Sequence, residues 1–265
     1  MSVRLIHWGE EYLDFNRDQG VEWSPGITRK LRQLLENNGC NIEKLYFEFH
    51  QLNGTEYSGR GASETNWRSL KYVEMYSSNW SITRSMPMDW VESILGSAYP
   101  ETVIMNGSGI FGWPILGRDM SRLRKLAVET EIPESLAINI IAQTPGLEDC
   151  SFTRLIRVAQ TQPARAGLSE TMELKDLRRL RVGSLSGIGS FLNAIETPAL
   201  LELEIDFVET RTIGWDGEAF GRFIHRSRLN TTLRRLAIKR GAMPQKKLEE
   251  CMAMFSPKLT AEWLS

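Results

Sequence analysis

Apolar residues recur along this chain in one short pattern, apolar-x-x-apolar-x-apolar, at intervals of about 27 residues. Ile42/Leu45/Phe47, Leu70/Val73/Met75, Leu123/Leu126/Val128, Leu147/Cys150/Phe152, Leu177/Leu180/Val182, Leu200/Leu203/Ile205 and Leu233/Leu236/Ile238 carry it. Pro100/Val103/Met105 is a weaker copy, and Leu259 with Leu264 forms a degraded closing one. The last two apolar positions of each copy are two residues apart, the side-chain period of a strand, so they predict a short strand with those side chains inward and the intervening ones outward. One unit of this size cannot bury its apolar face alone, whereas stacked neighbours bury a continuous core, so the chain is expected to form one elongated body.

The period falls in the leucine-rich-repeat range. Helical spacing precedes one set of strands, at Ile27/Leu31/Leu34/Leu35, Val91/Ile94/Leu95, Leu136/Ile140/Ile141, Ile188/Phe191/Leu192/Ile195, Phe220/Phe223/Ile224 and Leu248/Met252/Phe255. The other strands are entered through LNGTEYSGRGASETN, MNGSGIFGWPILGRDM and TRLIRVAQTQPARAGLSE, whose Gly, Pro and Ser predict loops. The larger expected unit is helix, strand, loop, strand. Proline stands between helix and strand at Tyr99-Pro100, Thr144-Pro145, Thr197-Pro198 and Ser256-Pro257, where it ends a helix and turns its predecessor toward extended backbone. The expected fold is α/β: an irregular leucine-rich-repeat solenoid over residues 23–265, with a parallel β-sheet on the concave side and helices and loops outside. A cap or irregular segment over 1–22 precedes it.

Composition fits a folded chain, since 42% hydrophobic residues supply a core. The net charge of −1 gives no overall attraction to nucleic acid or to an acidic membrane. Cys40, Cys150 and Cys251 are odd in number and widely separated, so they predict buried thiols in a reducing compartment rather than disulfides or a zinc site. The opening MSVRLIHWGEEYLDFNRD lacks the apolar run of a signal peptide, and no stretch is long enough to span a membrane. A cytoplasmic or nuclear location follows, in which the sequons at Asn53, Asn79, Asn106 and Asn230 would go unused.

The segments LRKLAVETEIPESLAINIIAQTPGLEDCSF and LRRLRVGSLSGIGSFLNAIETPALLELEIDF, with a strand, a helix and then P-x-L before the next strand, resemble the leucine-rich regions of mushroom-type fungal F-box proteins. ITRKLRQLLENNGCNIEKLYFEF and NWRSLKYVEM are similar to that family's first repeats, so the likeness runs over about residues 23–264. It implies a substrate-recognition module without catalysis. The family's F-box, which docks a Skp1-type adaptor, has no counterpart before Trp23, so a ubiquitin-ligase role would need an F-box supplied by a longer gene product. Ile132-Pro133-Glu134-Ser135-Leu136 resembles an F-box start but lies between two repeat strands. The Asn that caps each turn of regular leucine-rich repeats is also missing.

Outward strand positions alternate in charge: Arg124 and Lys125, then Glu148 and Asp149, then Arg178, Arg179 and Arg181, then Glu202 and Glu204, then Arg234 and Arg235. Strands about 4.8 Å apart would set each basic row against an acidic one. Such a ladder fixes strand order and solubility, and the same side chains form a candidate surface for a protein partner. A basic run, Arg222, Arg226, Arg228, Arg234, Arg235, Lys239, Arg240 and Lys246, spans 222–247 and offers nucleic-acid or acidic-partner binding as an alternative.

Catalysis has few candidates. His7, His50 and His225 are the only histidines, and Gly183-Ser184-Leu185-Ser186-Gly187 is not a G-x-S-x-G elbow. No dinucleotide or Walker-type phosphate loop is present, and the pairs Glu10/Glu11, Glu202/Glu204 and Glu249/Glu250 look solvated or laddered. No catalytic residue, cofactor or metal is assigned, and a hydrolase on an α/β scaffold is the enzyme-class alternative. Trp80, Trp90, Trp113 and Trp215 are placed as gap fillers ahead of partner anchors.

Overall fold

The computed structural model describes residues 2–7, 12–14, 42–49, 69–77, 99–110, 120–157, 171–185, 187–207, 216–239, 249, 252–255 and 259–264. The chain divides into two compact units, 1–123 and 124–265. Both are built on parallel strands. Expectations placed on residues 27–35, 91–95, His50 and the four tryptophans lie outside the described residues.

In the first unit the strands are β1 (Ser2–His7), β2 (Tyr12–Asp14), β3 (Ile42–Phe49), β4 (Tyr72–Ser77) and β5 (Thr102–Ile110), in the order β5-β4-β3-β1-β2. β3, β4 and β5 run parallel with Leu45, Val73 and Val103 in register and Phe47, Met75 and Met105 two residues on, so the repeat pattern names the register. Leu45, Val73, Met75, Val103 and Met105 are buried, each contributing about 1.5–3 kcal/mol over exposure. The segment expected to be a cap or irregular carries two strands. β1 lies antiparallel on β3, and β2 antiparallel on β1, so the parallel run stops at β3.

The second unit comprises β6 (Lys125–Pro133), α1 (Glu134–Ala142), β7 (Asp149–Ile156), β8 (Met172–Glu173), β9 (Arg179–Ser184), α2 (Gly189–Ala194), β10 (Ile195–Glu196), β11 (Glu202–Phe207), α3 (Gly217–Arg226), α4 (Leu229–Thr232), β12 (Arg235–Lys239) and β13 (Thr260–Leu264). Its main strands stand in the order β13-β12-β11-β9-β7-β6, every adjacent pair parallel. Leu126, Cys150, Leu180, Leu203 and Leu236 form one register row and Val128, Phe152, Val182, Ile205 and Ile238 the next, all buried. The leading residues of the pattern, Leu147, Leu177 and Leu200, are buried as well, each held by an N–H donated to the carbonyl three residues earlier.

Backbone hydrogen bonds tie each repeat to the next in one recurrent way. The carbonyl of Arg124 accepts from the N–H groups of Glu148 and Asp149, that of Glu148 from Arg178 and Arg179, that of Arg178 from Leu201 and Glu202, and that of Leu201 from Arg234 and Arg235. Lys71 does the same for Glu101 and Thr102 in the first unit. Strand entry is thereby satisfied without the missing capping Asn.

Helices cover the apolar side. α1 follows Pro133, whose fixed φ suits a helix start, and buries Ala137, Ile140 and Ile141 with Leu136 only half-buried. It ends at Ala142, and just beyond it Thr144 Oγ1 donates to the carbonyls of Ile140 or Ile141 (3.2 and 3.1 Å) before Pro145. Phe191 of α2 packs edge-on against Phe152 of β7 at 5.9 Å between ring centres. Asp216 caps α3 by accepting from the Ala219 N–H at 2.9 Å, and α3 buries Ala219, Phe220, Phe223 and Ile224.

Three expectations are corrected. Ile195, read as helical, begins β10, which pairs with β8 in a small parallel sheet, because its carbonyl and that of Leu192 are taken by the Arg226 guanidinium, both at 2.7 Å. Helix and loop do not alternate throughout: the β9–β11 and β11–β12 connections both contain helices. The closing copy is displaced, since β13 places Ala261 opposite Leu236 and Trp263 opposite Ile238, so Leu259 and Leu264 are out of phase with the rows.

Register also shifts between Val128 and Glu131 of β6 against β7, and between Phe152 and Leu155 of β7 against β9. The second shift sets Thr153 and Arg154 against Gly183 alone, and a Cβ there would stand 1.9 Å from the Thr153 carbonyl oxygen. Glycine at 183 is what admits this bulge.

Candidate functional site

Parallel pairing gathers the outward charges of the second unit. One row reads Lys125, Asp149, Arg179, Glu202, Arg235 in register; the next contains Arg181, Glu204 and Glu262. Asp149 sits between Lys125 (3.7 Å) and Arg179 (3.0 Å). Glu204 sits between Arg181 (2.9 Å) and Lys239 (2.7 Å) and is 17% exposed, the most sheltered acid of the ladder. Arg235 pairs with Glu202 at 3.7 Å and forks onto both oxygens of Glu262 at 3.2 and 2.8 Å. Hydrogen bonding to Arg235 holds the Glu262 carboxyl below the usual range, and Glu262 in turn raises the Arg235 guanidinium.

The flanking candidates behave differently. Arg124 donates to the Gly146 carbonyl at 2.8 Å and lies 3.9 Å from Glu148, both just ahead of their strands. Arg178 and Arg234 also precede their strands, lie exposed, and have no ion-pair partner among the described residues. Of the eleven candidates, then, nine join intramolecular pairs and two leave their charge open to solvent. Exposed pairs contribute about 0–1 kcal/mol each, so the ladder chiefly sets which strand lies beside which.

Among the described residues, the basic run over 222–247 is partly committed within the chain. Arg222 pairs with Glu218 and also donates to Asn193 at 3.3 Å, Arg226 is spent on the carbonyls of Leu192 and Ile195, and Arg235 and Lys239 lie in the strand ladder. Residues 240–247 lie outside the described ones. Ser184 is buried and donates to the Gly187 carbonyl at 2.9 Å, with Gly187 at φ 95°, so this serine closes the turn before α2. His225 is exposed near the end of α3. Among the described residues no group of three or more His, Cys, Asp or Glu is placed to hold a metal ion, and no helix is long and apolar enough to cross a membrane.

The first unit carries an open-face cluster that charge alternation could not disclose. Opposite the buried Leu45, Val73, Met75, Val103 and Met105, the outward positions include Lys44 and Tyr46 on β3, Tyr72, Glu74 and Tyr76 on β4, and Thr102, Ile104 and Asn106 on β5. Glu74 lies in register with Tyr46 and Ile104. The Tyr72 hydroxyl donates to one Glu74 oxygen at 2.6 Å and Asn106 Nδ2 to the other at 3.4 Å. The Tyr46 and Tyr72 rings touch, 5.3 Å between centres and inclined by 43°, and Tyr76 is 41% exposed. Partial burial, followed by the Glu74 carboxylate, pushes the Tyr72 phenol far above its ordinary value, so it stays a proton donor to Glu74. The sequence signal was the i, i+2, i+4 alternation of aromatic and acid in Tyr72, Glu74 and Tyr76.

Compared with protein-family models, curated proteins and solved structures, the chain matches none of them.

Proposed function

We propose that this chain is a non-catalytic protein-recognition module, an irregular leucine-rich-repeat solenoid whose open strand face holds a protein partner, like the substrate-recognition region of the fungal F-box proteins it resembles. One observation supports this above the rest: six parallel strands of the second unit share a register that buries the pattern residues and presents Lys125, Asp149, Arg179, Arg181, Glu202, Glu204 and Arg235 together. Repeat proteins use such faces for binding because neighbouring rungs offer a broad array of side chains. A Skp1-type adaptor and a ubiquitin ligase enter only where an F-box is supplied by another segment. A cytoplasmic or nuclear location accompanies this role and is favoured by Cys150 being a buried free thiol.

Affinity capture of the full chain from native extract tests it, run beside a variant carrying Arg178→Glu and Arg234→Glu. Neither arginine is held in an ion pair among the described residues, so the variant should fold as the parent does. A companion captured by the parent and lost by the variant is the expected result. Companions retained equally, or a hydrolytic activity toward ester or peptide substrates that depends on His225, would overturn the proposal.

A further inference from the structure

We infer that the Tyr46–Tyr72–Glu74–Tyr76 cluster of the first unit is a binding site for an arginine side chain presented by a peptide segment of another protein. The site is separate from the charge ladder, so the inference stands whether or not the ladder binds anything.

The outward strand faces of the two units differ in how their acids are paired. In the second unit Asp149, Glu202, Glu204 and Glu262 each have an Arg or Lys partner within the chain. Glu74 has hydrogen bonds from Tyr72 and Asn106 but no ion-pair partner among the described residues. Lys44 is in register with Tyr72 rather than with Glu74, and Arg4 stands in the row of Glu74 but one strand further away, beyond Tyr46. Lys71, one residue before β4, is spent on Glu43 at 3.3 Å. No described cation completes Glu74, which leaves its charge for a ligand.

The surroundings select which cation. Tyr46 and Tyr72, at 5.3 Å, are too close to admit anything between them and act as one aromatic surface, with Tyr76 two residues beyond Glu74 on the same strand face. Along β4 Tyr72 and Tyr76 stand four residues apart, about 13 Å between Cα atoms, with Glu74 midway, which makes the site a carboxylate flanked by tyrosines on one sheet face. A guanidinium suits it twice over, because its plane stacks on tyrosine faces while its fork donates to a carboxylate, and each Glu74 oxygen, already accepting one bond, keeps a second lone pair. An ammonium is more strongly hydrated and lacks the stacking plane.

The test is a titration of the full chain, labelled with 13C at the tyrosine ring carbons, with acetyl-Gly-Gly-Arg-Gly-Gly-amide followed by NMR. The same peptide with citrulline or lysine in place of arginine gives the comparison. Saturable shifts at Tyr46, Tyr72 and Tyr76 are expected, with citrulline weaker by at least about tenfold for the lost charge-assisted bond and lysine weaker than arginine. Glu74→Gln, isosteric and on the open face, should weaken arginine binding about tenfold while leaving the other tyrosine signals in place. Tyr76→Ala should weaken it too, since this half-exposed ring stands two residues beyond Glu74 on the same strand face. Equal binding of arginine and citrulline peptides, tighter binding of lysine, unchanged binding by Glu74→Gln, or shifts at other tyrosines alone would each overturn the assignment.

Discussion

Replacing Gly183 and Gly221 by alanine in turn should move stability in opposite directions, although both lie in the second unit. At Gly183 the new methyl carbon would sit 1.9 Å from the Thr153 carbonyl oxygen, 2.7 Å from its carbon and 3.2 Å from its Cα, all backbone atoms of the adjoining strand. No side chain can rotate away to relieve that contact, so β7 and β9 must separate beside the Phe152–Val182 pair. Overpacking a core typically costs about 1–3 kcal/mol, and a clash with backbone puts this substitution at the upper end or beyond. At about 2–4 °C per kcal/mol for a chain of this size, the Gly183→Ala melting temperature should fall by roughly 6–12 °C. Gly221 lies inside α3 with nothing within 4 Å of an added Cβ. Alanine there should stabilise by about 0.5–1 kcal/mol through helix propensity, raising the midpoint by roughly 1–4 °C. Scanning calorimetry, with urea midpoints as a second measure, reads both. A Gly183→Ala protein that melts within about 2 °C of the parent would refute the close approach at the bulge and the steric account built on it.

Three further outcomes follow from buried or laddered groups. Burial raises the Glu134 carboxyl despite the 2.6 Å bond from the Phe191 N–H and the nearby Arg157. A carboxyl raised in the fold gains stability as pH falls through its folded value toward about 4.3 and bears the full cost at neutral pH. Glu134→Gln should therefore gain on the parent at pH 7 and lose that advantage on acidification, while Glu134→Ala should lose about 1–3 kcal/mol by orphaning the Phe191 N–H; urea titrations at several pH values decide. The thiol of Cys150 is fully buried and pushed up by that burial and by Asp149, so its alkylation should be at least about a thousandfold slower in the native chain than in urea, as read by mass spectrometry of the labelled peptide; comparable rates would contradict its core position. A double-mutant cycle on Arg181 and Glu204 should give a coupling of about 0.5–1 kcal/mol that shrinks in 1 M salt, and a coupling indistinguishable from zero at low salt would remove this pair from the ladder.

Strand positions were legible because a two-residue alternation leaves little freedom: once Leu180 and Val182 face inward, Arg179 and Arg181 must face out. Charge order added the pairing, so the neighbours of Asp149 could be named before their distances were known. Contacts without a periodic trace stayed hidden. Glu134 meets its partner Phe191 across 57 residues, and nothing near either residue announces the pair. Arg226 looked like part of a basic run because spacing does not say which guanidinium will turn inward to cap Leu192 and Ile195. Ala261 broke the closing pattern by occupying a row held elsewhere by leucine or cysteine. The tyrosine cluster stayed hidden for a related reason, since only the parallel pairing of β3 with β4 brings Tyr46 beside Tyr72.

The sign of the open face has a parity. Going from β6 to β12 the register row reads plus, minus, plus, minus, plus. Excising one repeat from the middle would set two like charges shoulder to shoulder, whereas excising two adjacent repeats would restore opposite neighbours across the scar. Growth or shortening of such an array is thus tolerated more readily in even steps, and an odd step would need a compensating charge change on one flank.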